Sequence, residues 1–177
     1  MHATHLTPRD VELLGGSLTS VCACPTTERD LGDGIGPFRR LREAGSPVTV
    51  GSDSHAVVDL FEELRAVEVD ERLATQQRGH WASAELLTAG TYDGHRSLGF
   101  PDAGRIAVGA RADLVTLATT TPRTAGTGAG VATAVFAATT ADVVHVVADG
   151  RVVFTAAEAQ EVGRELDRAV SKVWEPR

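Results

Sequence analysis

Apolar residues fall along this chain in two rhythms, one of strands and one of helices. Short β-branched runs appear at Leu18–Cys24 and Val48–Val50. Each is closed by a breaker: Pro25 after the first, Gly51 after the second. Between and after them the spacing turns helical. Thr7-Pro8-Arg9-Asp10 reads as a helix start, with Thr7 as cap, Pro8 at the first helical position and Asp10 closing a capping-box pattern. That helix runs to about Leu14 and stops at Gly15-Gly16. Phe38 to Ala44 forms a second, with Phe38 and Leu41 on one side. A third runs from Val57 to about Leu73, with Val57, Leu60, Phe61, Leu64 and Val67 at helical spacing. Glu62, Glu63, Arg65, Glu68, Asp70 and Glu71 form its solvated face. Thr26 to Gly34 reads as a polar loop.

Further on, Ser83 caps a helix over 83–90, and 91–99 gives a second short one ending at glycine. From Gly104 the character changes. A turn leads into a strand near Leu114–Leu117, and a Thr/Gly/Ala/Pro loop covers 119–130. Two β-branched runs then flank Asp149-Gly150, the signature of a tight hairpin. Residues 157–173 close as an amphipathic helix with Val162, Leu166, Ala169, Val170 and Val173 along one side.

Strand, loop and helix alternate through the first part, which means parallel strands with helical crossovers. Working groups in such folds sit at the carboxyl ends of strands. His2, His5, the stretch after Cys24, and Asp53 with His55 fall at such ends. Asp53 is the first candidate for chemistry, because carboxylates are rarely buried without a partner or a metal. Asp53 or Ser54 equally suits the N-cap of the following helix, and from the local residues both readings stand.

The 177 residues suffice for one ordinary domain with a sizeable core. A hydrophobic content of 42% and a charged content of 23% are globular values. A net charge of -7 argues against nucleic acid or an anionic membrane as partner. No apolar run is long enough to span a bilayer, and no signal peptide opens the chain, so a cytoplasmic protein acting on a small molecule is expected. Cys22 and Cys24 share one face of a strand; their spacing is poor for a disulfide, and they read as small core residues.

Five runs together resemble one family. They are His2-Ala3-Thr4-His5-Leu6, Cys24-Pro25-Thr26-Thr27-Glu28, Leu31-Gly32-Asp33-Gly34-Ile35, Gly51-Ser52-Asp53-Ser54-His55 and Glu62-Glu63-Leu64-Arg65. With Gly104-Arg105-Ile106-Ala107-Val108-Gly109-Ala110-Arg111-Ala112-Asp113-Leu114-Val115, they look like the amidohydrolase superfamily, and within it the formimidoylglutamate deiminases. The resemblance implies an α/β fold: the C-terminal portion of a (β/α)8 TIM barrel plus returning strands of a small β-sandwich. Residues 1–100 would be barrel, 101–156 β-sandwich strands and 157–177 a C-terminal helix. It implies hydrolysis of N-formimidoyl-L-glutamate, an intermediate of histidine degradation, to N-formyl-L-glutamate and ammonia. Asp53 would ligate a divalent metal, usually zinc, and take a proton from the bound water. His2 would steer the hydroxide or the developing tetrahedral centre. His5, His55 and Glu28 would contact substrate or support the ligands.

The family also supplies a His-x-His pair from its first strand, and a His and a Glu from its fifth. None has a counterpart in this sequence. The expectation is therefore a portion of a deaminase, inactive alone, whose open edges favour a homodimer or a missing N-terminal half as partner. Alternatives are another amidohydrolase, such as a guanine-deaminase-like deaminase or a chlorohydrolase, and a non-catalytic half-barrel that docks onto another chain.

Overall fold

The computed structural model describes residues 1–53 and 57–174. Helix α1 (Pro8–Gly16) starts as its sequence predicts. The Thr7 hydroxyl accepts from the Asp10 N–H, and the Asp10 carboxylate accepts from the Thr7 N–H. Strand β1 (Val21–Ala23) follows, then α2 (Pro25–Leu31), α3 (Phe38–Ala44) and strand β2 (Val48–Val50). The two strands pair in parallel, Val21 opposite Val48 and Ala23 opposite Val50. Val21, Ala23, Phe38, Leu41 and Val48 join Val11, Val67, Trp81, Leu86 and Val135 in one core. Helices α1 and α3 meet closely at Gly15, where a Cβ would lie 2.2 Å from the Ala44 carbonyl oxygen. Only glycine fits that approach.

The expected polar loop after Cys24 is instead the helix α2. Pro25 occupies the first helical position, and Gly32, at φ 69°, terminates it in the left-handed region. Thr26, Thr27 and Glu28 are buried. Polar composition concealed a helix whose polar side faces the interior.

Helix α4 (Leu60–Thr75) starts three residues later than the apolar spacing predicts. Its cap is Asp59, whose carboxylate accepts from the N–H groups of Phe61 and Glu62. Asp53 therefore does not cap it, and Ser54 lies outside the described residues. The expected solvated face is also overturned, since Glu63, Glu68 and Glu71 are buried. Glu68 accepts from Arg72 and from the N–H groups of Gly79 and Trp81. Glu71 accepts from the Arg39 N–H and the Trp81 indole. These carboxylates tie down the connection into α5 (Ser83–Gly90) and the start of α3. The cap of α5 is Ala82, whose N–H donates to Glu85, so Ser83 is the first helical residue and not the cap.

Helix α6 (Tyr92–Ser97) leads to strand β3 (Leu114–Leu117) and helix α7 (Val131–Phe136). Helix α7 packs on α4 and α5. Arg65 of α4 holds its end by donating to the Val135 and Ala138 carbonyls. Strands β4 (Val143–Ala148) and β5 (Arg151–Thr155) complete an antiparallel sheet of order β3-β4-β5. Their turn is Asp149-Gly150, both left-handed at φ 49° and 76°, as a type I′ turn requires. Helix α8 (Ala159–Trp174) carries no buried residue. Among the described residues, no helix is long and apolar enough to cross a membrane.

Candidate active site

The carboxyl ends of β1 and β2 lie side by side, and three of the expected residues converge there. The first residues run beside β1, with the His2 N–H donating to the Cys22 carbonyl at 2.9 Å. This places the His2 ring between two carboxylates. Its Nε2 stands 3.7 Å from Asp53 Oδ2, and its Nδ1 stands 3.5 Å from Glu28 Oε1. Asp53 follows β2 and is held beside β1 by the Gly51 N–H, which donates to the Ala23 carbonyl at 3.0 Å. Glu28 comes from α2, and its Oε1 accepts from the Cys24 N–H at 2.8 Å. Burial pushes the Glu28 carboxyl above its ordinary value, against the pull of the Cys24 N–H and of His2.

Backbone strain is concentrated at this place. His2, Ala3 and Asp53 are all left-handed without being glycine, at φ 64°, 57° and 47°. Such conformations cost about 1–3 kcal/mol each and persist where surrounding contacts over-determine them.

Behind the site, α4 braces α2. Glu63 accepts from both the hydroxyl and the N–H of Thr26. Burial raises the Glu63 carboxyl, with the Thr26 hydrogen bonds opposing. The Thr27 hydroxyl reaches the Ser52 carbonyl at 3.4 Å, and Arg29 pairs with Glu62 at 2.9 Å. Glu63 is the supporting residue that the sequence reading placed on the wrong side. Its signal was available: Glu63 and Glu71 each lie one helical turn from Val67, on the apolar stripe itself.

Cys22 and Cys24 do share a face, with Sγ atoms 3.9 Å apart, and both are free thiols. Their hydrogen bond holds the Cys22 thiol below its ordinary value and raises that of Cys24. His5 is exposed and makes no hydrogen bond or ion pair among the described residues. His55 lies outside the described residues.

A catalytic zinc takes about three protein ligands. Among the described residues, no three His, Cys, Asp or Glu side chains converge as a metal cage. Asp53 fits as one corner, a half-buried carboxylate at a strand end beside an imidazole, and the described residues do not supply the rest.

The model of the amidohydrolase family matches residues 1–153. The chain belongs to the amidohydrolase family. It is 38% identical over 157 residues to a 5-methylthioadenosine/S-adenosylhomocysteine deaminase of Halobacterium salinarum, covering 85% of this chain and 36% of that protein. It is 36% identical over 124 residues to a formimidoylglutamate deiminase of Pseudomonas aeruginosa, covering 66% of this chain and 27% of that one. The crystal structure of a Xanthomonas campestris adenosine deaminase with bound zinc superposes with a TM-score of 0.82 at 27% identity. That match covers 96% of this chain and 42% of the other. The chain thus has the α/β fold of one portion of an amidohydrolase TIM-barrel protein and spans well under half the length of these relatives.

Proposed function

We propose that this chain supplies the closing strands of a metal-dependent deaminase that hydrolyses a C=N bond and releases ammonia, with N-formimidoyl-L-glutamate as its substrate. One observation carries the reading. Glu28 of Cys-Pro-Thr-Thr-Glu, Asp53 of Gly-Ser-Asp and His2 of His-Ala-Thr-His meet at the ends of β1 and β2, and Glu63 of Glu-Glu-Leu-Arg braces them from behind through Thr26. These runs resemble the amidohydrolase superfamily, and His-Ala-Thr-His and Gly-Ser-Asp-Ser-His among them resemble the formimidoylglutamate deiminases; they form one connected site rather than separate matches.

Asp53 has the position and chemistry to ligate a divalent metal and to accept a proton from the attacking water. A zinc ion held there by Asp53 would supply a bound water with a pKa of about 7. His2, facing Asp53 through Nε2, orients the water and steadies the tetrahedral centre as the C=N carbon is attacked. The proton collected at Asp53 is then available to the departing nitrogen. The described residues hold one corner of the metal site, so the 177-residue chain is proposed to be inactive alone.

A second reading is deamination of an adenine nucleoside, favoured by the longer match to the Halobacterium salinarum deaminase. A chimera separates the two. Residues 1–153 would replace the matching part of the Pseudomonas aeruginosa formimidoylglutamate deiminase, and the zinc-loaded product would be assayed for ammonia release. Turnover of N-formimidoyl-L-glutamate, with none of 5-methylthioadenosine or S-adenosylhomocysteine, is expected. Turnover of the nucleosides alone establishes the second reading. A folded, zinc-loaded chimera inactive on all three removes both.

A further inference from the structure

His2 Nδ1 is buried and has no hydrogen-bond partner among the described residues. The group that faces it is Glu28 Oε1, at 3.5 Å. A buried ring nitrogen without a partner is costly, and a bare lone pair facing a carboxylate is worse. A proton on Nδ1 resolves both. The acceptor has room for it, because a carboxylate oxygen offers two lone pairs and the Cys24 N–H occupies one of those on Oε1.

The opposite ring nitrogen competes for the same proton. Nε2 faces Asp53 Oδ2 at 3.7 Å, so the Nε2–H form also has a carboxylate to meet. Exposure decides between them. The Glu28 side chain is 4% exposed and that of Asp53 is 28% exposed. Water can solvate Asp53 if the ring offers it no proton, and little water can do so for Glu28. Position agrees, since the Cys24 N–H and helix α2 fix Glu28 on the interior side of the ring.

We propose that Glu28 is the positioning residue of His2: its carboxylate accepts Nδ1–H, locks the ring in that tautomer and leaves the Nε2 lone pair free beside Asp53. His2 then meets the attacking water as an acceptor, and the water's other proton points to Asp53. This role rests on the deaminase reading above, whereas the tautomer itself does not depend on the substrate.

The test uses the 177-residue chain labelled with 15N at histidine. Long-range 1H–15N spectra are recorded at a pH where the rings are neutral, and His2 is identified by the signal lost in His2→Gln. The expected spectrum shows His2 protonated at Nδ1, the reverse of the Nε2–H form that free histidine prefers. Glu28→Ala is expected to shift the ring to Nε2–H. Glu28→Gln is expected to keep Nδ1–H, because its amide oxygen still accepts, and Asp53→Ala is expected to leave the tautomer unchanged. A merely structural Glu28, serving only the Cys24 N–H, predicts no change of tautomer in Glu28→Ala, and that result overturns the proposal. So does an Nε2–H ring in the unsubstituted chain, which needs no variant to fold, or a switch caused by Asp53→Ala. None of these outcomes bears on which compound the deaminase hydrolyses.

Discussion

Glu63 of α4 accepts two hydrogen bonds from Thr26 of α2, one from its hydroxyl and one from its backbone N–H at 3.1 Å. Both residues are buried, so no water replaces the carboxylate if it is removed. Glu63→Ala strands two buried donors and is expected to lower the unfolding free energy by about 2–4 kcal/mol. Glu63→Gln retains an acceptor and gives up a charge that burial disfavours, so its loss is expected to be the smaller. Urea unfolding followed by circular dichroism measures both. Equal losses would mean that the negative charge, rather than the acceptor, holds α2 in place.

Stability should respond to pH through two opposing sets of carboxyls. Burial raises Glu28, Glu63 and Asp70, so their contribution is present at low pH and is lost as pH rises through their elevated values. Asp142 runs the other way. Hydrogen bonds from Arg123, Thr121 and Thr139 hold it well below the usual carboxylate range. Its contribution is complete above the unfolded value of about 4 and disappears as pH falls toward its folded value. Asp142→Asn is therefore expected to destabilise the chain by a constant amount above about pH 4, with the gap to the unsubstituted chain narrowing below that. Thermal unfolding midpoints of the two chains, measured in parallel across acidic pH, test the sign. A gap that widens on acidification contradicts it.

Local chemistry made much of the fold readable. The Thr7–Asp10 capping box, the Asp149-Gly150 turn and the β-branched runs each involve near neighbours in sequence, and each appears as expected. Asp53 and His2 were readable as candidates because the strand rhythm placed them at strand ends, and Glu28 entered only through the family resemblance. Charge periodicity hid the burial of Glu63, Glu68 and Glu71, although the place of Glu63 and Glu71 on the apolar stripe pointed to it. Their partners are the Thr26 N–H, the Gly79 and Trp81 N–H groups, and the Arg39 N–H, all outside α4. An acidic residue on a helix looks solvated until the backbone that needs it is known. The same blindness hid α2, whose threonines and glutamate look like loop composition yet point inward.

Asp53→Asn in the chimera tests both roles proposed for Asp53, metal ligand and proton acceptor, and zinc content measured beside turnover tells them apart. Asparagine keeps an oxygen near His2 but is a poor proton acceptor at neutral pH. The turnover number is expected to fall by about 10²–10⁴-fold, with a smaller change in KM. Stripping zinc from the unsubstituted chimera with a chelator should abolish turnover, and zinc should restore it. The isolated 177-residue chain, dialysed against zinc and then buffer, is expected to retain no stoichiometric metal, as one carboxylate corner predicts. Stoichiometric zinc in that chain, traced to Asp53 by substitution, would mean that its own residues complete the site.

Helix α8 makes the strongest case for self-association. Every residue of Ala159–Trp174 is exposed, including Leu166 at 62% and Trp174 at 80%. Val162, Leu166, Ala169 and Val173 recur at intervals of four, three and four, the spacing of a helix seam, and none of the described residues buries it. Deleting 159–177 removes none of the described core residues, so the unfolding free energy is expected to stay within about 0.5 kcal/mol of the original. Sedimentation velocity at micromolar concentrations should show the full chain associating and the shortened chain doing so less. Leu166→Glu, which breaks the seam without shortening the helix, should match the deletion. A full chain that sediments as a monomer throughout that range removes the stripe as an association surface. A deletion that lowers the unfolding free energy by several kcal/mol would show that α8 packs against the rest of the chain in solution.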